Sequence, residues 1–555
     1  MHQPTAKPFS LSTHAIANSR LLDGLAITVL IVTGAVAAAT FRDYGLGWDD
    51  YTHSQYGSLL VSLYSSGFAD KRALSFVNLY MYGGGFDLLS ALTAKVLPLG
   101  LFETRRLVGA AVGLAGLFIT WRLGRRLGGP FAGLIALILL AACPLYYGHM
   151  FMNAKDGPFA VTSAIALLGI VRAFEEYPRA TPATITLCGI GVGLAIGSRV
   201  MGGFAVIDAV VPLLLVLALR ARVSGLKPAF SECGVFLYAF IPGLILAYLV
   251  MGLVWPWSVV APFNLFHAVD YFSNFFEKPW RELFDGQLLL VPDMPRSYVP
   301  TLMALQLPEL LLALGIGGTI DATLAIAGIG ERDGGVGRRA ALLAIVLAAT
   351  LPILITVMAR PAMYNGIRHF VFTLPPIAVL GGLTASWIAQ ALKQRIAAMT
   401  VAALIGVVGV ASPVIEMVRL HPYQYTYYNH LIGGVAGARP YYMIDYWGLS
   451  MTQASRQLRT LLAQRGEKRP DGKNWTVAVC GPHPAVVVGL GDGYDAIWDP
   501  EGADFAMMLN EFYCADLDAP VVLEVVREGV VYARVYDIRG RSYSTLLRYP
   551  TANKP

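Results

Sequence analysis

The sequence is poor in charged residues, and this scarcity excludes several classes of protein. Asp, Glu, Lys and Arg make up 14% of the 555 residues, whereas hydrophobic residues make up 56%. Soluble domains contain about 25% charged residues, so this chain has too little polar surface for a soluble multidomain enzyme. A disordered chain and a coiled coil are excluded as well. The composition predicts a polytopic membrane protein, in which lipid contacts the apolar excess.

Cysteine is also scarce: the five cysteines form no metal-binding or redox motif and no disulfide scaffold. Cys143, Cys188 and Cys233 lie in or beside apolar runs, where a buried thiol is the ordinary interpretation. Cys480 and Cys514 lie in a polar stretch near the C-terminus. We expect them to pair if that stretch lies outside the cytosol.

Long apolar runs predict about eleven transmembrane helices of roughly 20 residues each. The runs lie near residues 22–40, 107–121, 130–146, 157–174, 183–197, 203–219, 233–254, 301–328, 340–358, 370–391 and 397–418. The first run is too long for the core of a signal peptide, so we interpret it as an anchor that stays in the protein.

Basic residues cluster in alternate short loops and predict the orientation of the chain. The clusters lie near residues 122–126, 172–179, 220–227, 332–339 and 393–395. Loops of this kind are cytoplasmic, which places the N-terminus inside and the C-terminal region outside. The predicted organisation is a cytoplasmic tail at 1–21, a membrane module at 22–420 with a first outer loop at 41–106, a junction at 421–449 and a small extracytoplasmic α+β domain at 450–555.

Outside the apolar runs, periodicity predicts a few further elements. Tyr56, Leu60 and Tyr64 share one face of a helix in the first outer loop, and a second helix is expected over 75–97, interrupted by three glycines. The C-terminal domain is expected to contain a helix at 450–465, strands at 475–480 and 484–489, and a hairpin that turns at residues 527–529.

Two acidic segments on the predicted outer side are candidates for chemistry. Asp49 and Asp50 lie between Trp48 and Tyr51, where a neighbouring charge and burial favour proton exchange. The alternatives are a cation site and plain solvation of a loop. Asp156 lies where the fourth predicted helix begins, so it is a helix cap or a functional carboxylate.

Histidine and basic residues complete the list of candidates. His149 is either a structural hydrogen-bonding residue or, with Asp49 and Asp156, a ligand of a divalent cation, although that spacing is not diagnostic. Arg199 interrupts an apolar stretch, where a charge usually faces a cavity or a partner. It would bind an anion such as a lipid phosphate, form a buried ion pair or extend to the membrane surface. The other basic candidates on this side are Lys71, Arg72, Lys155, Arg368 and His369.

Several segments resemble the membrane glycosyltransferases of the GT-C superfamily, and more narrowly its bacterial protein-mannosyltransferase and aminoarabinose-transferase-like branch. The segments are Asp49–Asp50, HMFMNAKDGP at 149–158, NGIRHF at 365–370 before LPP at 374–376, HPYQY at 421–425, and DYWG at 445–448.

The resemblance implies an inverting transfer of a sugar from a polyprenyl-phosphate carrier to an envelope acceptor, at the outer face of a bacterial cytoplasmic membrane. It implies that Asp49 is the general base, with Asp50 as the alternative because family members commonly have Glu at that position. Asp156 would orient the acceptor or hold a cation. The expected residues for the substrate and the carrier phosphate are Arg368, Lys71, Arg72, Arg199, His149, Lys155 and His369.

The expected chemistry is consistent with the rest of the sequence. A lipid phosphate needs charge neutralisation more than a general acid, and a single inverting displacement needs one base. The sequence has no nucleotide-binding glycine loop, and no nucleic-acid partner is expected. A secondary transporter and a lipid-linked glycan ligase or polymerase remain the alternatives, although the chain shows no two matching halves.

Overall fold

The computed structural model describes residues 13–273, 280–329, 335–469 and 472–548. Most of the predicted tail, at residues 1–12, and the end of the C-terminal domain, at 549–555, lie outside the described residues. The chain is mostly helical up to residue 465, and a small α+β region follows the helices. The prediction of a helical, multi-pass membrane protein with an α+β region at its C-terminus is confirmed.

Each predicted apolar run falls on one or two helices. These helices are Thr13–Thr40, Leu101–Ala141, Pro144–Met152, Asp156–Glu175, Pro182–Ser198, Phe204–Ser224, Leu226–Ala239, Ile241–Val254, Tyr298–Gln306, Glu309–Ala327, Gly335–Ala359, Leu374–Leu392 and Ile396–Arg419. Within the described residues, nine helical segments are long and apolar enough to cross a membrane. The number of eleven crossings and their orientation stay predictions.

The helix Leu101–Ala141 contains two of the predicted runs because it folds back on itself at Gly129. The backbone of Gly129 has a φ of 81°, which only glycine adopts readily. A Cβ on Gly133 would lie 2.8 Å from the backbone oxygen of Trp121, so the two arms pack in close contact. The turn therefore separates the predicted runs 107–121 and 130–146 without a loop.

Shorter elements connect the long helices. They are the α-helices Asp50–Ser65, Gly85–Ala94, Trp257–Val260, Asn264–Ser273 and Gly434–Ala438, and an antiparallel hairpin of β1 (Arg281–Phe284) and β2 (Gln287–Leu290). Tyr56 and Leu60 are buried on one face of Asp50–Ser65, as predicted. The helix predicted over 75–97 is wrong in its first half. The backbone there forms hydrogen bonds outside a helix: the Gly84 N–H, for example, donates to the carbonyl oxygen of Val254 at 2.9 Å.

The C-terminal region packs helices against a five-stranded sheet. Its strands are β3 (Trp475–Cys480), β4 (Tyr494–Ile497), β5 (Phe505–Leu509), β6 (Val521–Arg527) and β7 (Val530–Asp537), in the order β4-β3-β5-β7-β6. β3 is parallel to β4 and β5, whereas β7 is antiparallel to β5 and β6. The predicted helix at Ser450–Arg465 and the hairpin of β6 and β7 are confirmed.

The strand predicted at 484–489 is wrong, because His483–Leu490 is an α-helix that links β3 to β4. Its valines favour a strand, but Ala485, Val486, Gly489 and Leu490 are buried with helical spacing. Gly489 faces Ser455 of the helix Ser450–Arg465. Burial against a second helix therefore overrides the local preference of the valines.

The expected pairing of Cys480 with Cys514 is confirmed. The two residues form a disulfide with their Cα atoms 6.0 Å apart. Cys480 ends β3 and Cys514 follows β5, so the bond joins neighbouring parts of the sheet. Cys143, Cys188 and Cys233 are free and buried, as expected.

Candidate active site

Segments that are distant in the sequence form a central cavity of about 430 Å³. Its lining includes residues from the first predicted outer loop, the segment before Asp156, the β1–β2 hairpin, and the loops before Leu374 and Ser450. The charged, histidine and aromatic side chains of its lining include Trp48, Asp49, His53, Tyr82, Lys155, Tyr364, Arg368, Tyr446 and Trp447. Most of these segments were predicted to lie on the outer side of the membrane, and the structure brings them together.

Asp49 is the carboxylate on the cavity wall. It directly precedes the helix Asp50–Ser65, and its Oδ2 lies 2.9 Å from the Lys155 Nζ. Its side chain is 39% exposed. Burial raises the pKa of the Asp49 carboxyl, but Lys155, through its charge and its hydrogen bond, and Arg368 lower it more, so the pKa lies below its ordinary value. Asp49 is therefore ionised and accessible from the cavity.

Asp50 is turned away from the cavity and holds the loop in place. Its side chain is 3% exposed and receives two hydrogen bonds from Arg106, from Nη1 at 2.8 Å and from Nη2 at 2.7 Å. The backbone N–H of Gly47 donates a third bond to Asp50 at 2.8 Å. Of the two adjacent carboxylates, Asp49 therefore faces the cavity, whereas Asp50 is buried and hydrogen-bonded to protein groups.

Asp156 lies behind the cavity wall between two arginines. The Arg199 Nη2 lies 2.8 Å from Oδ1, and the Arg368 Nη1 lies 3.3 Å from Oδ2. The side chain of Asn153 donates to Oδ2 at 2.6 Å, and its own oxygen accepts the backbone N–H of Asp156 at 2.7 Å. Asn153 therefore ties the first residue of the helix to the segment before it, and the Asp156 carboxylate orients the two arginines.

His149 connects this cluster to the cavity through Tyr446. The Asn153 Nδ2, which can only donate, lies 3.1 Å from the His149 Nδ1, and the Tyr446 hydroxyl lies 3.2 Å from Nε2. The proton of the ring is therefore on Nε2. Burial lowers the pKa of His149 to about 4, although Asp156 opposes the shift. His149 is neutral at physiological pH and positions Tyr446.

Aromatic rings hold the basic side chains at the cavity. The guanidinium of Arg368 lies 4.8 Å from the ring centre of Tyr364 and 4.9 Å from that of Trp447. The Lys155 Nζ lies 4.9 Å above the ring of Tyr82, which also contacts Arg199. Such cation–π contacts fix a cation without neutralising its charge.

Buried Glu282, on β1, fixes the loop before Arg368. Its Oε2 accepts the backbone N–H of Asn365 at 2.7 Å, and its Oε1 accepts the hydroxyl of Tyr298 at 2.6 Å. The Tyr298 oxygen accepts the N–H of Gly366 at 3.1 Å. Burial raises the pKa of Glu282 to about 7. The hairpin thereby determines where Arg368 enters the site.

The remaining predicted residues lie away from the cavity lining. Lys71 and Arg72 are exposed in the first loop, and Arg72 pairs with Asp70 at 2.7 Å. His369 packs edge-on against Tyr364. Among the described residues, no three His, Cys, Asp or Glu side chains could together hold a metal ion. The structure does not assemble Asp49, His149 and Asp156 into a ligand set, because His149 and Asp156 are bonded to protein partners.

Several residues of the site were not found from the sequence. They are His53, Tyr82, Glu282, Tyr446 and Trp447. Tyr446 and Trp447 belong to the DYWG segment quoted for the family resemblance, which was the available signal. Trp447 packs so closely on Gly47 that a Cβ there would lie 1.8 Å from its ring. His53, Tyr82 and Glu282 have no sequence signal, because only the fold brings them to the site.

Part of the chain matches a known family. Residues 88–246 match the model described as Dolichyl-phosphate-mannose-protein mannosyltransferase. The match includes the HMFMNAKDGP segment and Arg199, and it spans less than a third of the chain. For these residues, the match agrees with the mannosyltransferase resemblance seen in the sequence. No curated protein sequence matches the chain significantly.

Solved structures of membrane glycosyltransferases are also similar to the chain. ArnT from Cupriavidus metallidurans bound to undecaprenyl phosphate is 16% identical, with 95% of this chain and 98% of that chain covered and a TM-score of 0.46. The Archaeoglobus fulgidus oligosaccharyltransferase in its apo form is 13% identical, with 84% and 64% covered and a TM-score of 0.48. At these identities and TM-scores, the similarity carries no conclusion about activity.

Proposed function

We propose that the chain is an inverting membrane glycosyltransferase. It moves a sugar from a polyprenyl-phosphate carrier to an acceptor hydroxyl at the outer face of a bacterial cytoplasmic membrane. The single observation that supports this function is an accessible carboxylate, Asp49, on the wall of a cavity that Lys155 and Arg368 also line. A base for a hydroxyl and cations for a phosphate thus face the same space. The description of the matching family names a lipid-phosphate sugar as well.

The charges of the site fit an anionic carrier. Asp49 and Asp156 are associated with Lys155, Arg199 and Arg368. These five side chains carry two negative and three positive charges, a net charge of +1. A sugar linked to a lipid through one phosphate carries one negative charge at neutral pH, so its binding makes this set neutral.

In the proposed reaction, Asp49 takes the proton of the acceptor hydroxyl. The hydroxyl oxygen forms a bond to the anomeric carbon from the side opposite the phosphate. The bond between that carbon and the phosphate oxygen breaks, and its electron pair leaves with the lipid phosphate. Lys155 and Arg368 stabilise the charge that develops on the phosphate, since cations in a poorly solvated site stabilise it more than water does. Binding of the phosphate also draws Lys155 away from Asp49, which makes the carboxylate available as a base.

The function can be tested with the purified chain in proteoliposomes. A panel of polyprenyl-phosphate hexoses and pentoses is incubated with an extract of bacterial envelope, and the release of polyprenyl phosphate is measured together with the labelled product. We expect release with at least one donor and its loss in Asp49→Asn. Asp70→Asn is the matched control, because Asp70 is a first-loop carboxylate that pairs with Arg72 outside the cavity lining.

Two results would contradict the proposal. One is retained transfer in Asp49→Asn, which would remove Asp49 as the base. The other is ion-coupled uptake of a solute into the proteoliposomes without sugar transfer, which would indicate a transporter.

A further inference from the structure

A second group of charged residues lies beside the cavity, and the proposed reaction does not use it. The His53 Nδ1 lies 2.6 Å from the Asp87 Oδ2, and the Arg105 Nη2 donates to the Asp87 Oδ1 at 2.6 Å. His53 is 2% exposed, and Asp87 and Arg105 are each 1% exposed. The three residues come from three different helices, Asp50–Ser65, Gly85–Ala94 and Leu101–Ala141. Because these three side chains are shielded from water, solvation of a loop does not explain them.

The contacts determine the state of the His53 ring. Burial raises the pKa of the Asp87 carboxyl, but His53 and Arg105 lower it more, so Asp87 is ionised. Its carboxylate accepts the Nδ1–H of His53. In that tautomer the Nε2 of His53 carries a lone pair and no proton.

The Nε2 of His53 is available for a further hydrogen bond. It is buried and has no hydrogen-bond partner among the described residues. A buried polar atom without a partner costs desolvation free energy until a water or a ligand group satisfies it. His53 lines the cavity, whereas Asp87, which binds the other ring nitrogen, does not. His53 also lies one helical turn after Asp49, since its backbone N–H donates to the Asp49 carbonyl at 3.0 Å.

We propose that His53 is a second catalytic residue, which receives the acceptor proton from Asp49 and holds it during sugar transfer. This inference rests on the proposed function. The acceptor oxygen bonds to the anomeric carbon, and the bond from that carbon to the phosphate oxygen breaks with its electron pair on the phosphate. The acceptor proton passes to Asp49 and then to the Nε2 of His53, and water takes it up after the product leaves. Asp87 stabilises the imidazolium that forms.

The two bases differ in a way that makes the relay useful. Once Lys155 has turned to the phosphate, Arg368 still lowers the pKa of the Asp49 carboxyl, which is too weak a base to retain a proton. An imidazole is a stronger base than a carboxylate, and His53 is backed by the carboxylate of Asp87. The pairing of an aspartate with a histidine is a common way to orient an imidazole as a proton acceptor. Asp49 thus removes the proton, and His53 keeps it away from the new oxygen–carbon bond.

The test uses His53→Asn in the full-length protein, with His267→Asn as the matched control. Asparagine can still donate to Asp87 but has no base at the position of Nε2, whereas His267 is exposed on Asn264–Ser273. We expect kcat to fall about 100-fold, as removal of a general base does, with the KM for the donor within about twofold of wild type. The control should leave both constants unchanged.

The pH profile distinguishes a proton acceptor from a structural residue. In wild type, kcat should fall as the pH is lowered, because a protonated His53 cannot accept; this decrease should be absent in His53→Asn. The charged groups that face His53 are Asp87, Arg105 and Asp49, with Lys155 and Arg368 across the cavity. Binding of polyprenyl phosphate and the unfolding temperature show whether the variant is folded.

Several outcomes would overturn the role of His53. One is a His53→Asn variant that keeps more than about a fifth of the wild-type kcat. The second is a pH profile of kcat that is the same in this variant as in wild type. The third is a wild-type kcat that is constant from pH 5 to 8. The last measurement does not depend on whether a variant folds. If wild type transfers sugar, Asp49→Asn does not, and His53→Asn does, then only the role of His53 fails. If wild type transfers no sugar, the proposed function fails.

Discussion

The adjacent residues Asp49 and Asp50 should respond in opposite ways to the same substitution. Asp50→Asn removes a charge that is 3% exposed and receives two hydrogen bonds from Arg106, itself 3% exposed. The amide keeps one oxygen that can accept from Arg106, but its NH2 group replaces the second acceptor and faces a donor, and Arg106 keeps its bond to the Gly45 carbonyl at 2.6 Å. Breaking a buried ion pair by removing one partner costs about 3–5 kcal/mol. We therefore expect a clear decrease in stability from this substitution.

Asp49→Asn should have the opposite result. The side chain is 39% exposed and has one ion pair, with Lys155. A pair that is open to solvent contributes about 0–1 kcal/mol, so the unfolding temperature should stay within a few degrees of wild type. Sugar transfer should fall about 10²- to 10⁴-fold, because the general base is lost. Stability and activity are thus assigned to different members of one Asp–Asp pair.

The assay compares the two variants and Arg106→Gln in the same detergent or lipid. Thermal unfolding gives stability, and the release of polyprenyl phosphate per folded molecule gives activity. Arg106→Gln should resemble Asp50→Asn, and the double variant should be less destabilised than the sum of the two single changes. An Asp50→Asn protein that is as stable as wild type but inactive, beside an active Asp49→Asn protein, would reverse the roles and refute the reasoning.

Three further predictions concern the surroundings of the site. His149 has a pKa of about 4 against an ordinary value of 6.5, so up to roughly 3 kcal/mol of stability is lost as the pH falls from about 6.5 to 4; His149→Gln should show a smaller loss in thermal unfolding measured across that range. Glu282→Gln replaces the carboxylate that accepts the Asn365 N–H with an amide, which should weaken the hold on the loop before Arg368 by about 1 kcal/mol. The measurement is the affinity for polyprenyl phosphate, which Arg368 binds and which should decrease. Cys480→Ser opens a disulfide of sequence separation 34 and should destabilise the C-terminal region by about 4 kcal/mol, measured by limited proteolysis.

The helical framework could be predicted because its signals are local. An apolar run must lie in lipid or in a protein core, and period-two or period-3.6 patterns identify faces over a few residues. The helix Ser450–Arg465 and the hairpin of β6 and β7 follow from such patterns. The strand predicted at 484–489 failed because the valines there also fit a helix face, and only contact with a distant helix decides between them.

The site could be predicted only where residue type alone is informative. A carboxylate or an arginine beside a membrane segment is noticeable, so Asp49, Asp156, Arg199 and Arg368 were found. Which of Asp49 and Asp50 faces the cavity depends on Arg106, which lies more than fifty residues away in the sequence. Neutral groups such as His53 give no signal, because their role comes from the partner that the fold supplies.

The scarcity of charge in this chain makes the arrangement of its few charges informative. A buried charge is costly unless it is paired, and the residues around the cavity meet this condition in two different ways. Asp50 and Arg106 are matched one to one, and their pair holds the first loop against the helix Leu101–Ala141. Asp49 and Asp156 instead share three cations, Lys155, Arg199 and Arg368. A matched pair adds rigidity without attracting a ligand. The set of five side chains has one excess positive charge and therefore attracts an anion. This set includes Asp49, so the anion is attracted to the part of the cavity where the ionised base lies.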